Sequence, residues 1–91
     1  MVYVIALLKL ESFDKWKPVF DERSAIRKEK GSKEARLFLN SQNHNEAMIL
    51  FEWDNFENAR KYLESKTVRE TLKKVGATYT FTYLDQIEKT F

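Results

Sequence analysis

The chain has 91 residues, 43% hydrophobic and 33% charged, a balance typical of one folded globular domain spanning residues 1–91. Cysteine is absent, which excludes disulfides, thiolate zinc sites and cysteine nucleophiles. The net charge is only +2, and acidic and basic residues alternate along the chain, so we expect no nucleic acid partner.

The N-terminal third predicts a strand followed by a helix. Val2–Leu10 is apolar at both sets of alternating positions, as in a strand that is buried on both faces. The helix would begin at Ser12 or Asp14 as N-cap, with Pro18 tolerated near its first turn. Its apolar stripe also carries two arginines, and Gly31 is a typical helix stop.

The middle of the chain predicts a hairpin. Glu34–Asn40 and Glu46–Trp53 alternate as strands, and the polar segment Ser41–Asn45 between them has turn composition. His44, the only histidine, falls in this turn, where we expect a solvated side chain rather than a ligand. No metal site is therefore predicted.

The C-terminal third predicts a second helical region and a last strand. Asp54 and Glu57 form a capping-box pattern at its start, and Thr67 and Glu70 repeat that pattern at a second helical piece. Thr78–Leu84 alternates aromatic residues with threonine, which is a strong strand signal.

The resulting order, β-α-β-β-α-β, predicts an α+β domain of the ferredoxin-like class with an antiparallel sheet. Both helical regions would cover one face of this sheet. The first and third strands are apolar on the second face too, and the last strand carries a row of aromatics. An open apolar face usually marks a partner site, so we expect a homodimer through it. A monomer with a residual patch is the alternative.

The sequence also bears on location. No apolar run approaches the ~20 residues that span a bilayer. The first residues are strand-like and do not resemble a secretion signal. We therefore expect a cytoplasmic protein that does not bind membranes.

The spacing of Trp16 and Phe20 and the block "LFEWDNFENARKYLESKTVRETL" resemble the dimeric α+β barrel superfamily, most closely its antibiotic biosynthesis monooxygenase domains. The resemblance covers nearly the whole chain. It implies a dimeric barrel and a pocket for a small apolar or aromatic ligand between the helices and the sheet. Members that degrade haem have a histidine where this chain has Leu72, so the resemblance does not extend to haem, and no cofactor is expected.

Carried onto this chain, the resemblance gives a set of ligand-binding residues. They are Trp16, Phe20, Arg23, Arg27, Trp53, Phe56, Tyr62 and Leu72. Each aromatic residue could equally be part of the core or of a dimer interface. The two arginines could anchor an anionic group, or could simply cover apolar surface with their side-chain stems.

Two residues are catalytic candidates. Arg27 could stabilise a developing anion, and Glu52 could act as a general base if burial raised its pKa. Glu52 could equally end its strand in a pair with a lysine or arginine. The resemblance implies a cofactor-independent monooxygenase acting on a quinol or phenol. The alternative is a module that binds small molecules or dimerises without catalysis.

Overall fold

The computed structural model describes all 91 residues and contains four strands and four helices. Their order along the chain is β1 (Val2–Leu10), α1 (Phe13–Glu22), α2 (Ser24–Lys30), β2 (Ser32–Asn40), β3 (Asn43–Trp53), α3 (Phe56–Leu63), α4 (Lys66–Lys74) and β4 (Ala77–Leu84). The strands form one antiparallel sheet in the order β2-β3-β1-β4. This is the predicted ferredoxin-like α+β arrangement. None of the helices is long or apolar enough to cross a membrane.

The core lies between the helices and one face of the sheet. Alternate residues of β1 and β3 point into it, and the register pairs Val4 with Phe51 and Ala6 with Ile49. Trp16 from α1 and Trp53 from the end of β3 are its largest fully buried side chains. The strict period of two in these strands fixes which side chains reach the helices.

The prediction of one helix in the N-terminal third is wrong, because the structure has two helices there. Arg23 has φ −92° and ψ 4°, and it ends α1 and precedes α2. Pro18 lies well inside α1 rather than in its first turn. Gly31 does end the second piece, with a φ of 126° that favours glycine.

Ser12 caps α1, as one of the two predicted candidates, but the predicted caps of α3 and α4 are wrong by one or two residues. The side chain of Asn55, not Asp54, accepts from the Asn58 backbone N–H at 2.8 Å. Asp54 instead accepts from the Asn55 backbone N–H and the Asn58 side chain. At α4 the cap is Ser65, and Thr67 lies inside the helix. Several neighbouring residues could cap these helices, and the sequence pattern alone did not choose between them.

The hairpin between β2 and β3 is tighter than predicted. Only Ser41 and Gln42 lie outside the strands, and the Asn40 side chain accepts from the Gln42 backbone N–H at 2.9 Å. His44 consequently lies in β3, where it is exposed.

The sheet face opposite the helices, here called the open face, is apolar in its centre. Leu7 of β1 and Phe38 of β2 are 51% and 49% exposed, and Ile5, Met48 and Leu50 are half-buried. The aromatic row of β4 does not contribute to this face. It pairs with the buried set of β1 and packs under the helices, which leaves the threonines of β4 on the open face.

Candidate functional site

A small cavity of about 50 Å³ lies between the helices and the sheet. Side chains of β1, β3 and β4 form its floor. Its helical walls are Trp16, Val19, Phe20, Arg23, Arg27, Tyr62, Leu63, Val68, Thr71 and Leu72. Of the fifteen residues lining it, twelve are hydrophobic. Such a wall suits an apolar ring, and the few polar groups would decide its orientation.

Aromatic side chains of α1 build one wall. The rings of Trp16 and Phe20 stack at a centroid distance of 5.0 Å, because residues four apart share one helix face. Phe20 also contacts Phe51 of the floor, at 6.5 Å between centroids. These contacts join α1 to β3 and leave ring faces as the wall of the cavity.

Arg27 is the most unusual residue of the cavity. Its side chain is buried, with the residue only 7% exposed, and no carboxylate lies within 4.0 Å of its guanidinium group. Nη1 donates to the Phe20 carbonyl at 2.8 Å, and Cζ lies 4.0 Å from the centre of the Phe20 ring. Burial lowers the pKa of Arg27, an effect that Tyr62 partly opposes. A buried cation without an anionic partner is costly, so the site is electrostatically unbalanced.

Arg23 and Tyr62 complete the polar part of the cavity. Arg23 Nε donates to the Tyr62 hydroxyl at 2.8 Å, and Arg23 Cζ lies 5.4 Å from the Tyr62 ring centre. The break between α1 and α2 at Arg23 places this residue and Arg27 together beside α3. We call Arg23, Arg27 and Tyr62 the cavity cluster.

The cavity cluster can bind an anion. Its two arginines are the only charged residues of the lining, so no carboxylate of the wall offsets them. Guanidinium groups donate well to phenolate, carboxylate and other oxyanions, and they do so most strongly where water is excluded. The Tyr62 hydroxyl accepts from Arg23 and retains its own proton as a further donor.

Six of the eight predicted ligand-binding residues line the cavity. These are Trp16, Phe20, Arg23, Arg27, Tyr62 and Leu72. Trp53 lies behind them, fully buried and 5.8 Å from the Tyr62 ring, and its Nε1 has no hydrogen-bond acceptor. Phe56 lies edge-on to Tyr83, at 6.1 Å between centroids, and also outside the lining.

Glu52, the second catalytic candidate, lies on the other side of the sheet. It alternates with the buried residues Phe51 and Trp53, and it pairs with Tyr3 of β1 and Glu34 of β2 on the open face. The sheet therefore separates its carboxylate from the cavity cluster. This placement offers no path for Glu52 to remove a proton from a ligand in the cavity.

Sequence reasoning did not name several lining residues. Val19, Val68 and Thr71 occupy helix positions beside the predicted ones, and Ala6, Leu8 and Ile49 form part of the floor. The floor could have been found from the alternation of the first and third strands. Thr71 gave no such signal, and in the structure its hydroxyl donates to the Thr67 carbonyl within α4.

A second arginine–tyrosine cluster lies at the edge of the sheet. The Tyr83 hydroxyl donates to the carboxylate of Glu64, and Arg60 Cζ lies 4.5 Å from the Tyr83 ring centre. Burial, followed by the hydrogen bond to Glu64, raises the pKa of Tyr83. We call Arg60, Glu64 and Tyr83 the edge cluster.

Comparison with known proteins identifies the fold through structure and not through sequence. No family model matches the chain, and no curated protein matches it. Among solved structures, it is similar to SnoaB, a cofactor-independent oxygenase from Streptomyces nogalater, with a TM-score of 0.80 and 12% identity over 97% of this chain and 94% of that chain. The chain has the fold of this oxygenase.

Two further structures support this result. An antibiotic biosynthesis monooxygenase aligns with a TM-score of 0.74 and 13% identity over 97% of this chain and 100% of that one. A dimeric ferredoxin-like protein from an uncultured marine organism aligns with a TM-score of 0.67 and 10% identity over 100% and 99%. The predicted resemblance is thus confirmed for the fold. Identities this low carry no information about the reaction.

Proposed function

We propose that the chain forms a homodimeric oxygenase that binds an electron-rich phenol or quinol in the cavity and lets it react with dioxygen without a cofactor. The observation that carries this proposal is Arg27, a buried cation without a carboxylate partner in an aromatic-walled cavity. The fold shared with a cofactor-independent oxygenase supports it. Arg27 would stabilise the phenolate, Tyr62 would donate to the same oxygen, and Trp16 and Phe20 would hold the ring.

The reaction balances without an added reductant. The phenol loses its proton, and the phenolate gives one electron to dioxygen, forming superoxide and a phenoxyl radical. These combine through a new carbon–oxygen bond, and loss of water from the resulting peroxide leaves a carbonyl. One phenol and one dioxygen give one quinone and one water. The protein contributes by orienting the ring, excluding water and stabilising the anion.

The cavity must open for this chemistry. Its volume is about 50 Å³, whereas an engineered apolar cavity that binds benzene has about 150 Å³. Both α1 and α2, which are separated by the break at Arg23, carry walls of the cavity. A ligand would therefore displace these helices outward from the sheet.

An isotope experiment tests the proposal. Purified protein is incubated with a hydroxynaphthalene under ¹⁸O₂, and the quinone is analysed by mass spectrometry. Incorporation of one labelled oxygen marks oxygenation of the ring, and the protein-free reaction gives the background of spontaneous oxidation. Arg27→Met keeps the length of the side chain and removes its charge, and it should lower turnover by about 100-fold.

Arg69→Met is the matched control, since Arg69 is an exposed arginine of α4 outside the cavity. It should turn over like the wild type. Equal rates for Arg27→Met and the wild type, or no labelled product above the protein-free reaction, would contradict the proposal.

The small volume favours a second function, a binding or dimerisation module without catalysis. In that case hydroxynaphthalenes would produce no labelled quinone, whether or not they bind. Titration with a hydroxynaphthalene, followed by tryptophan fluorescence, distinguishes a binding module from a dimerisation module. Trp16 lines the cavity, and a ring stacked on it should quench its emission. Quenching without turnover indicates a binding module, and neither indicates a dimerisation module.

The dimer would form through the open face. Leu7 and Phe38 lie at its apolar centre, and sheet-on-sheet packing would bury both of them. Leu7→Lys should convert the dimer into a monomer in sedimentation velocity. Ile26→Lys is the control, since Ile26 is 39% exposed on the helical side of the domain and should leave the dimer intact. A wild-type monomer would contradict this interface.

A further inference from the structure

A cleft of about 330 Å³ lies between α2 and the adjoining parts of α3 and α4. Arg23, Lys30 and Lys61 line it, together with the hydroxyl groups of Ser65 and Thr67. Arg23 and Tyr62 line both this cleft and the aromatic cavity, so the two spaces meet at the cavity cluster. A single ligand could therefore occupy both of them.

The cleft is strongly basic. Its wall contains three cationic side chains and no carboxylate. Two acidic residues lie nearby, and neither neutralises it. Glu57 meets Lys61 at 3.4 Å in a pair whose side chains are both more than 70% exposed, and such pairs are weak and screened by salt. Asp54 accepts from the backbone N–H of Asn55 and the side chain of Asn58, lies outside the lining of the cleft, and pairs with none of its basic residues within 4.0 Å.

Some basic residues elsewhere on the helices are paired with carboxylates, and others, such as Lys28 and Lys73, are not. Lys17 pairs with Asp21, and Lys66 pairs with Glu70, each one helical turn apart. Arg23 and Lys30 have no carboxylate within 4.0 Å. Arg23 and Lys30 differ from the other unpaired basic residues in their position, because they line the cleft where it meets the cavity. A charged substituent of a bound ring would lie there.

From this arrangement we propose that the ligand of the cavity is an aromatic compound with an oxyanion substituent, and that the cleft binds this substituent. The aromatic ring lies against Trp16 and Phe20, and the oxyanion, a carboxylate or a phosphate, binds between Arg23, Lys30 and Lys61. The proposal rests on the proposed function for the position of the ring, and it adds the chemical class of the ligand. Lys30 and Lys61 act as residues that determine specificity and take no part in the oxidation.

A pair of probes tests the proposal by binding alone. The probes are 6-hydroxy-2-naphthoate, which is anionic, and its neutral methyl ester, which has nearly the same shape. Calorimetric titration of the wild type at low salt should give a dissociation constant about tenfold lower for the carboxylate, and 0.5 M salt should remove most of this difference. Millimolar inorganic phosphate should displace the carboxylate and leave the ester bound.

Two double variants locate the effect. Lys30→Gln with Lys61→Gln should weaken binding of the carboxylate about tenfold and leave the ester unchanged. Lys73→Gln with Lys74→Gln removes the same charge from an exposed part of α4 outside the cleft, and should change neither affinity. Equal affinities of the two probes for the wild type, or equal losses in both double variants, would overturn the proposal.

The result is separable from the oxygenase proposal. Selective binding of the carboxylate without ¹⁸O incorporation would support the anion site and reject the reaction. Conversely, labelled product from the ester and the carboxylate at equal rates and equal affinities would support the reaction and reject the anion site.

Discussion

Helix α3 takes part in two arginine–tyrosine clusters that differ in one component. In the edge cluster, Tyr83 donates to Glu64 and lies under Arg60, so the cation and the carboxylate meet at one phenol. In the cavity cluster, Tyr62 accepts from Arg23 near the buried Arg27, and no carboxylate is present. Both clusters place guanidinium groups over aromatic rings, at 4.0 to 5.4 Å.

This difference supports a structural role for the edge cluster and the proposed binding role for the cavity cluster. A balanced cluster satisfies its own charges and fixes β4 against α3. An unbalanced, buried cluster is unfavourable for stability, and such groups concentrate where a protein binds or reacts. The ligand would supply the missing negative charge, which is why both proposals are placed at the cavity cluster.

Removal of the tyrosine hydroxyl group should distinguish the two clusters most strongly. Tyr62→Phe deletes a donor to the proposed phenolate and the acceptor of Arg23, and should lower turnover about tenfold, since a hydrogen bond to a charged group contributes about 1.5 kcal/mol. Tyr83→Phe should leave turnover unchanged, because the edge cluster lies outside the cavity. Rates of ¹⁸O incorporation measure both variants.

A fall of equal size in the two variants would remove the distinction between the clusters. In that case the hydroxyl groups would act through the packing of α3, and the loss should track the free energy of unfolding. Urea denaturation of both variants checks this explanation directly.

Much of the fold could be predicted because it follows two sequence periods, that of two residues in strands and that of 3.6 residues in helices. The predicted bounds of Val2–Leu10 agree with the structure, since apolar residues fill both sets of alternating positions and Lys9 is its only charged residue. The break at Arg23 could not be predicted, because Arg23 and its neighbours fit one continuous helix as well as two shorter helices. The row of Tyr79, Phe81 and Tyr83 predicted the last strand, but only the register with β1 decided which face it occupies.

The candidate site, too, could be predicted from the sequence only in part. Trp16, Phe20, Arg23 and Arg27 share one helical stripe, and the structure brings them to one cavity. Glu52 alternates with Phe51 and Trp53, so its own spacing already placed it on the opposite face from the core. The absence of a carboxylate beside the arginines depends on how α2 packs against α3, and no local pattern encodes this contact.

The pH dependence of stability offers a second way to compare the clusters. The pKa of Tyr83 is raised in the folded state, so the unfolded chain loses this proton first, near pH 10. Its contribution is therefore fully present below pH 10 and is lost as the pH rises through the higher pKa of the folded state. Urea denaturation between pH 9 and 11 should show a steeper loss of stability for the wild type than for Tyr83→Phe. Parallel curves would show that the hydroxyl group of Tyr83 titrates alike in both states.

The smallest expected effect is on the free energy of unfolding. Substitution of Arg60 should lower it, and substitution of Arg27 should not. Arg60→Met removes a cation–π contact at an exposed site and should lower the free energy of unfolding by about 0.5 kcal/mol. Arg27→Met removes a buried, unpaired charge and should leave stability unchanged or raise it by up to about 1 kcal/mol, although it also removes the bond to the Phe20 carbonyl. Urea denaturation at pH 7 measures both. A loss of about 3 kcal/mol for Arg27→Met would show that the guanidinium group holds α2 in place. Its lost turnover would then reflect misplaced helices, and only a stable, inactive variant assigns Arg27 to the chemistry.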